Sequence, residues 1–262
     1  MNGASASCRQ GNMKTLLLIL SLLILACSPV GTQPAAFDAV EGLELPSYSE
    51  DEDVIVHLGY TASYNHQTLV SDWVAWELTA EEAEGTNEGQ FSFSRDPDVK
   101  FPKSSREDYS HSGWDKGHMA PRADMKWSCQ ALEESYYFTN VCPQDHEMNS
   151  QAWRKIEELT RRLAKHYGRV YIVCGPLFDE HRFGTIGEAG VQVPDRFFKA
   201  LTVITETGYQ TVGFIVDNTP QDYSPKHYAV SVDSVETLAG RNLFPMIDEA
   251  AEQTFDWNYW NR

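Results

Sequence analysis

The chain has 262 residues, of which 38 are acidic and 21 basic, and its formal net charge is −17. Proteins that coat nucleic acid through bulk electrostatics usually have a basic surface, so this charge argues against that class while leaving room for an enzyme with a local basic strip. From Val54 to the end of the chain there is no internal repeat or low-complexity break. A stretch of this size is consistent with one domain that buries its own core.

The chain begins with the pattern of a targeting segment. An apolar run over residues 15–26 directly precedes Cys27 and is shorter than the roughly 20 residues that a membrane-spanning helix needs. We predict that residues 1–26 are a signal peptide, with Met13 as an alternative start. The letters ILAC that end at Cys27 resemble a bacterial lipoprotein box, in which this cysteine carries lipid; ordinary cleavage nearby without lipid is the alternative. Both predict export, as a periplasmic or cell-surface lipoprotein or as a secreted protein.

A polar segment follows the predicted leader. Residues 27–54 are rich in Ser, Pro, Gly and acidic residues. Segments of this composition bury too little apolar surface to fold by themselves. We therefore predict an acidic flexible tether over residues 27–54 and a folded domain over residues 55–262.

Three cysteines lie in the predicted domain. An exported location permits a disulfide, and Cys129–Cys142 is the favoured pair because the two residues flank one short segment. Cys174 lies in an apolar run and is predicted to be a buried core residue.

The secondary-structure pattern alternates between the two regular periods. Apolar and β-branched runs predict strands over residues 54–64, 72–78, 136–141, 170–174, 197–205 and 210–216. Residues 150–167 are predicted to be helical, because apolar residues recur there at spacings of three and four and Gly168 follows as a stop. Interleaved helices and candidate hairpins predict an α+β fold, with a largely antiparallel sheet and flanking helices.

The first candidate site is the stretch GWDKGHMAP around His118. Gly117 permits a tight turn and Pro121 restricts the exit of the chain, so His118 is expected to project from a short, stiff segment. A neutral imidazole at this position can accept a proton from an attacking water, with an ordinary pKa near 6.5. The alternative is a structural histidine. Lys116, two residues earlier, carries a charge suited to a phosphate oxygen.

The second candidate site lies at the start of the predicted helix. Asn140 ends a predicted strand, and Asn149 opens the helix either as an N-cap alone or as an oxygen ligand for Mg²⁺. Glu157 lies roughly 12 Å further along a helix axis, so we expect it to act through a water of the ion's hydration shell, the alternative being a solvated position. Arg161 either contacts phosphate or pairs with Glu157. One base beside a hard-cation site is what metal-assisted phosphodiester hydrolysis requires.

These motifs resemble those of the DNA/RNA non-specific endonucleases, a group that includes endonuclease G and secreted bacterial nucleases. DKGHMAP resembles the DRGH motif of that family, and NVCPQ, which starts at Asn140, is similar to its N-x-x-P-Q segment. The spacing of Asn149, Trp153 and Glu157 is also that of the family. Four sequence blocks resemble it as well, at residues 64–65, 73–78, 173–176 and 193–199. The resemblance covers roughly residues 55–245.

The resemblance implies a ββα-metal motif and cleavage of DNA and RNA with little sequence preference. It implies Mg²⁺ as the cofactor, with Mn²⁺ as an alternative. The implied roles are general base for His118, metal ligand for Asn149, water-mediated metal contact for Glu157, positioning for Asn140 and phosphate contact for Lys116 and Arg161. One departure is Lys116, which replaces the family's arginine and lacks its planar two-point grip on phosphate. An earlier arginine of some members has no secure match, with Arg95 only nearby.

Two other functions compete with this interpretation. A catalytically degenerate, surface-anchored module would bind nucleic acid without cleaving it, in keeping with the Lys116 replacement and the acidic composition. A phosphodiesterase with small substrates is the other. The expected partners are DNA and RNA, and a membrane only through lipid at Cys27.

Overall fold

The computed structural model describes residues 38–261. The predicted signal peptide and Cys27 lie outside the described residues. Within the described part of the chain, no helix combines the length and the apolar character that a membrane crossing requires.

The described residues form short and long strands connected by mostly short helices. The strands are β1 Asp53–Val56, β2 Thr61–Asn65, β3 Val70–Thr79, β4 Asp115–His118, β5 Val141–Gln144, β6 Arg169–Leu177, β7 Thr185–Ile186, β8 Val191–Gln192, β9 Arg196–Thr205, β10 Gly208–Asp217 and β11 Ala229–Val230. The α-helices are α1 Arg106–Tyr109, α2 Cys129–Glu134, α3 His146–Met148, α4 Arg154–Tyr167, α5 Pro225–Tyr228, α6 Val232–Ala239 and α7 Glu249–Glu252. The 3₁₀ turns are Glu82–Glu84, Arg122–Met125, Phe138–Asn140 and Trp257–Tyr259, and Asn149–Trp153 is a π-helical turn.

One large sheet organises the fold. Its seven strands lie in the order β1-β2-β3-β6-β9-β10-β11, and every neighbouring pair is antiparallel. Because side chains alternate along a strand, β9 contributes Phe197 and Leu201 to one face and Phe198 and Ala200 to the other. The α+β prediction with a largely antiparallel sheet is confirmed.

Each face of the sheet has its own core. The larger core lies between the sheet and α4, whose apolar stripe includes Ile156, Leu159 and Leu163. The β4–β5 pair packs into the same layer through Val141 and Cys142. The opposite face is covered by α6 and by a segment near the start of the described chain. The layer with α4 and β4 therefore holds the predicted site.

The predicted tether is wrong for its described part. Leu43 is completely buried in the second core, and the Val40 backbone N–H donates to the Tyr171 hydroxyl at 2.9 Å. Burial opposes ionisation of Glu52, but the ion pair with Arg241 and further hydrogen bonds lower its pKa to about 2. Composition alone missed this packing because the partners are distant in sequence.

Two further predictions also fail. The strand predicted over residues 136–141 is instead the 3₁₀ turn Phe138–Asn140 followed by β5, with the Asn140 N–H donating to the Tyr137 carbonyl at 2.9 Å. Cys142 is a free and fully buried thiol, so the disulfide with Cys129 is wrong. Cys174 is buried in the core as predicted.

Candidate active site

The β4–β5 pair presents the DKGH residues. His118 lies opposite Val141, Gly117 opposite Cys142, and Lys116 opposite Pro143. A Cβ on Gly117 would lie 1.9 Å from the Gln144 side-chain oxygen, which is closer than any real contact. Glycine is therefore required here by the close approach of the buried Gln144 side chain.

This close approach makes Gly117→Ala a sharp test of how the strand positions the site. The added methyl must push β4 away from β5, so we expect kcat to fall at least about tenfold and the free energy of unfolding to fall by about 1–3 kcal/mol. Gly184→Ala is the matched control, because nothing lies within 4 Å of a Cβ there. Digestion kinetics and chemical unfolding measure both quantities. A Gly117→Ala protein with unchanged kcat would contradict this role for the strand.

His118 lies in an aromatic surround at the end of β4. Its ring centroid is 5.1 Å from that of Phe93 and 5.2 Å from that of Tyr136. Its Nε2 atom is buried and has no hydrogen-bond partner. A histidine with a purely structural role would be expected to form a hydrogen bond at this nitrogen. The unpaired Nε2 therefore favours the general-base interpretation over the structural one.

Burial lowers the pKa of His118 to about 4, and the positive charge of Arg122 acts in the same direction. The imidazole is then neutral from mildly acidic to alkaline pH. This value lies below the 6.5 expected for an unperturbed imidazole, because the ring is buried. A neutral ring is the form that accepts a proton.

Lys116 projects beside His118. Its ammonium lies 6.0 Å from the Phe93 ring centroid, and Phe93 also contacts the His118 ring. It also lies 5.8 Å from the Tyr109 ring centroid. The two residues of the motif therefore share one face, as their separation by two positions in a strand requires.

The helix that carries Asn149 begins earlier than predicted. Asp145 is its N-cap, and its carboxylate accepts from the backbone N–H groups of Glu147 and Met148. Asn149 has helical backbone angles and opens a π-helical turn that leads into α4. The N-cap alternative for Asn149 is therefore wrong. Single π turns within helices occur frequently at functional sites.

The Asn149 amide is oriented by the first residue of β4. Its Nδ2 donates to the Asp115 carboxylate at 3.1 Å, which leaves the amide oxygen as the group that can face an ion. His146 contacts the same Asp115 oxygen at 2.9 Å, and this hydrogen bond raises the pKa of His146. Asp115 thus connects the helix to β4 and fixes which way the amide points.

A second contact joins the same two elements. The Trp153 indole N–H donates to the His118 carbonyl at 3.2 Å. The helix is therefore attached to both ends of β4, at Asp115 and at His118. This is the arrangement of two strands and a helix that the resemblance implied.

Asn140 is a fully buried connector rather than a group that faces the site. Its side chain accepts from the Ala120 N–H at 2.8 Å and donates to the carbonyls of Ala120 and Ser135 at 2.8 and 3.0 Å. Its carbonyl accepts from the Met119 N–H. These contacts fix the chain that leaves His118, which suits the predicted positioning role.

Glu157 lies one turn after Trp153 and is partly buried. Burial raises its pKa to about 7, the positive charges of Lys199 and Arg161 oppose this rise, and Asp124 adds to it. Arg161 pairs with the buried Asp124 at 2.8 Å. Glu157 is therefore not a solvated position, and Arg161 pairs with Asp124 rather than with Glu157. The phosphate contact of Arg161 stays a prediction.

Several residues near the site have contacts that no sequence pattern indicates. Asp115 was present in the quoted motif but received no function. Arg122 follows His118 by four positions, and its guanidinium is held by Glu88 at 2.6 Å. Lys199 was predicted as part of a strand and of the resembling block 193–199 but without a role, although a lysine at an inward position of an apolar strand is itself an unusual signal.

The oxygen ligands present fit a hard, hydrated cation. Among residues 38–261, no three His, Cys, Asp or Glu side chains are grouped to hold a metal. The candidate ligands are the amide oxygen of Asn149, which is neutral, and the carboxylate of the partly buried Glu157, which carries negative charge when ionised. Mg²⁺ takes few protein ligands and keeps several waters, so this donor set suits it.

Known proteins of one family are similar to this chain. A family model described as DNA/RNA non-specific endonuclease matches residues 44–250. The chain is 31% identical to mitochondrial endonuclease G of Bos taurus over 202 residues, which cover 72% of this chain and 68% of that protein. It is 30% identical to mitochondrial nuclease EXOG of Xenopus laevis over 208 residues, covering 73% of this chain. It matches only 58% of the length of that relative.

A solved structure is similar in fold. The crystal structure of an EndoG/EndoGI complex contains a chain that superimposes with a TM-score of 0.73 at 28% identity. The match covers 79% of this chain and 91% of that chain. The similarity in fold therefore extends over most of this chain and nearly all of that one.

Proposed function

The chain belongs to the DNA/RNA non-specific endonuclease family, and from this premise we propose that it hydrolyses phosphodiester bonds of both DNA and RNA with little sequence preference and with Mg²⁺ as cofactor. The observation that carries the proposal is the pairing of β4 with the helix. Asp115 holds the Asn149 amide, while the next turn of the helix holds the backbone of His118.

The proposed mechanism assigns one task to each side chain. His118, neutral because of its low pKa, accepts the proton of the attacking water. Lys116 lies beside it and offsets the negative charge of a non-bridging phosphate oxygen. Asn149 would hold the ion directly, and Glu157 would hold its hydration shell. A bound Mg²⁺ supplies Lewis-acid stabilisation of the phosphate and of the leaving oxygen.

A digestion assay with and without chelator tests this function. We expect supercoiled plasmid and a long RNA both to be cut, activity to stop with chelator and to return with Mg²⁺ or Mn²⁺. Binding of nucleic acid without cleavage in Mg²⁺, Mn²⁺ and Ca²⁺ would instead identify a degenerate binding module. Cleavage of a dinucleotide but not of long DNA would identify a small-substrate phosphodiesterase.

The pH profile should depend on the Mg²⁺ concentration. The pKa of Glu157 is about 7 without an ion, and a cation nearby favours the ionised carboxylate. Activity at limiting Mg²⁺ should therefore rise through pH 7, and the midpoint should move to lower pH as Mg²⁺ is raised. Initial rates over a grid of pH and Mg²⁺ measure the midpoint. A midpoint that stays at one pH over the whole grid contradicts the Glu157 assignment.

We also propose that the chain is exported, on the strength of the apolar leader and the cysteine that follows it. Nucleic acid outside the cytoplasm would then be its substrate. Metabolic labelling with a fatty acid, comparing the wild type with Cys27→Ser, distinguishes lipid attachment from ordinary cleavage.

A further inference from the structure

Lys199 is a buried lysine with no task in the mechanism above. It lies on β9 and faces the same core layer as Phe197 and Leu201, and its side chain is completely inaccessible to solvent. A buried ammonium is costly unless opposite charges or polar groups compensate for the lost water. The structure contains such compensating groups, and they belong to the active site.

Two tryptophans and one carbonyl fix the ammonium. Its Nζ lies 4.4 Å from the Trp153 ring centroid and 5.0 Å from the Trp76 ring centroid, within the range of cation–π attraction. It also donates to the Met119 carbonyl at 3.5 Å. Because Lys199 is enclosed on these sides, its charge is held at one place rather than on a mobile chain.

The same tryptophans connect this charge to the site. The Trp153 indole N–H donates to the His118 carbonyl at 3.2 Å. The Trp76 indole N–H donates to the buried Asp124 carboxylate at 3.2 Å. Lys199 therefore lies between the end of β4 and the Asp124–Arg161 ion pair.

Helix geometry places Glu157 beside Lys199 and the Asp124–Arg161 ion pair. Trp153, Glu157 and Arg161 are spaced by four residues, so they follow one another along one face of the helix. Trp153 contacts the Lys199 ammonium and Arg161 contacts Asp124, on either side of Glu157. In agreement, burial raises the pKa of Glu157, and the positive charge of Lys199 is the strongest of the effects that oppose this rise. Lys199, Arg161, Asp124 and Glu157 thus form one cluster of two positive and two negative side chains, in which Lys199 and Asp124 are fully buried.

We propose that Lys199 is a positioning residue for phosphodiester cleavage: its fixed ammonium supplies the buried positive charge that holds the Glu157 carboxylate in the active site. Its complete burial excludes direct contact with nucleic acid. The proposal rests on the proposed function, because Glu157 matters to catalysis only if the chain cleaves phosphodiesters. It differs from a purely structural role in acting through one named partner.

The first test replaces the charge and keeps the bulk. Lys199→Met should fold and reduce kcat about ten- to a hundredfold with KM changed less than about twofold, the range expected for residues that support a metal site. Lys199→Arg should retain most of the wild-type kcat because it keeps the positive charge. Leu201→Val, on the same face of β9, is the control and should lower the unfolding temperature while keeping kcat. A folded Lys199→Met protein within about twofold of wild-type kcat overturns the proposal.

A double-mutant cycle with Glu157→Gln identifies the partner. If Lys199 acts through Glu157, Lys199→Met should change kcat less than about threefold in the Glu157→Gln background. Effects that multiply fully would overturn the proposal. If Lys199→Met alone fails to fold, the kcat of the double variant is compared with that of Glu157→Gln, and the same limit of about threefold applies. The double variant is expected to fold because it removes one charge of each sign.

The unfolding measurements separate this proposal from the proposed function. A wild-type protein that cuts neither plasmid nor RNA refutes the nuclease function. The cycle is then read from unfolding alone, where Lys199→Met should cost less stability when Glu157 is already Gln. Additive effects on stability would refute the Lys199–Glu157 relation even in that case.

Discussion

Replacement of His118 by alanine should reduce kcat by roughly two to four orders of magnitude, the usual contribution of a positioned general base. The reason is that His118 packs against Phe93 and Tyr136 as a neutral ring, next to Lys116, in the form that accepts a proton. Single-turnover cleavage of a labelled duplex measures the loss.

The control is His166→Ala, on the last turn of α4 beside Tyr167 and away from β4. It should cleave at the wild-type rate. Circular dichroism must show that His118→Ala is folded, since the ring is partly buried. A folded His118→Ala protein that digests plasmid as fast as wild type would remove His118 from the mechanism.

Asn149→Ala should lower activity at fixed Mg²⁺ by at least about a hundredfold, because the direct ligand of the ion is lost and this stabilisation is worth several kcal/mol. Part of the loss should be recovered at high Mg²⁺. Asp115→Ala, which releases the amide that it orients, should cost about ten- to a hundredfold. Calorimetric titration with Mg²⁺ measures the binding directly.

Asn258→Ala, at an exposed position near the end of the chain, serves as the matched control and should bind Mg²⁺ normally. The assignment of Asn149 fails if its alanine variant binds Mg²⁺ with wild-type affinity. An intermediate result for Asp115→Ala would agree with its role in holding the amide, whereas a wild-type result would show that the Asn149 amide needs no such support.

Local patterns were enough to predict the helix that carries Glu157 and two central strands of the large sheet. The apolar spacing from Trp153 to Tyr167 predicted the helix, and the strands 197–205 and 210–216 lie within β9 and β10. These predictions succeed because periodicity reports which face of an element is buried, whatever the partner. The motif residues around His118 and Asn149 were found for the same reason, since each lies within one short segment.

Long-range contacts explain what the sequence did not show. Leu43 is one buried residue in an acid-rich segment, and the Arg241 side chain that compensates Glu52 is distant in the chain. Lys199, on β9, and Asp124, in the 3₁₀ turn Arg122–Met125, come close together only in the folded chain. No pattern within one segment contains that information. The helix start was misplaced because Asn149 suits an N-cap and the actual cap, Asp145, precedes a π turn.

The packed segment around Leu43 lies on the sheet face opposite α4 and β4. The start of the folded domain is thus attached on the far face of the sheet, away from the candidate site. A nucleic acid approaching α4 and β4 would therefore not have to displace that segment.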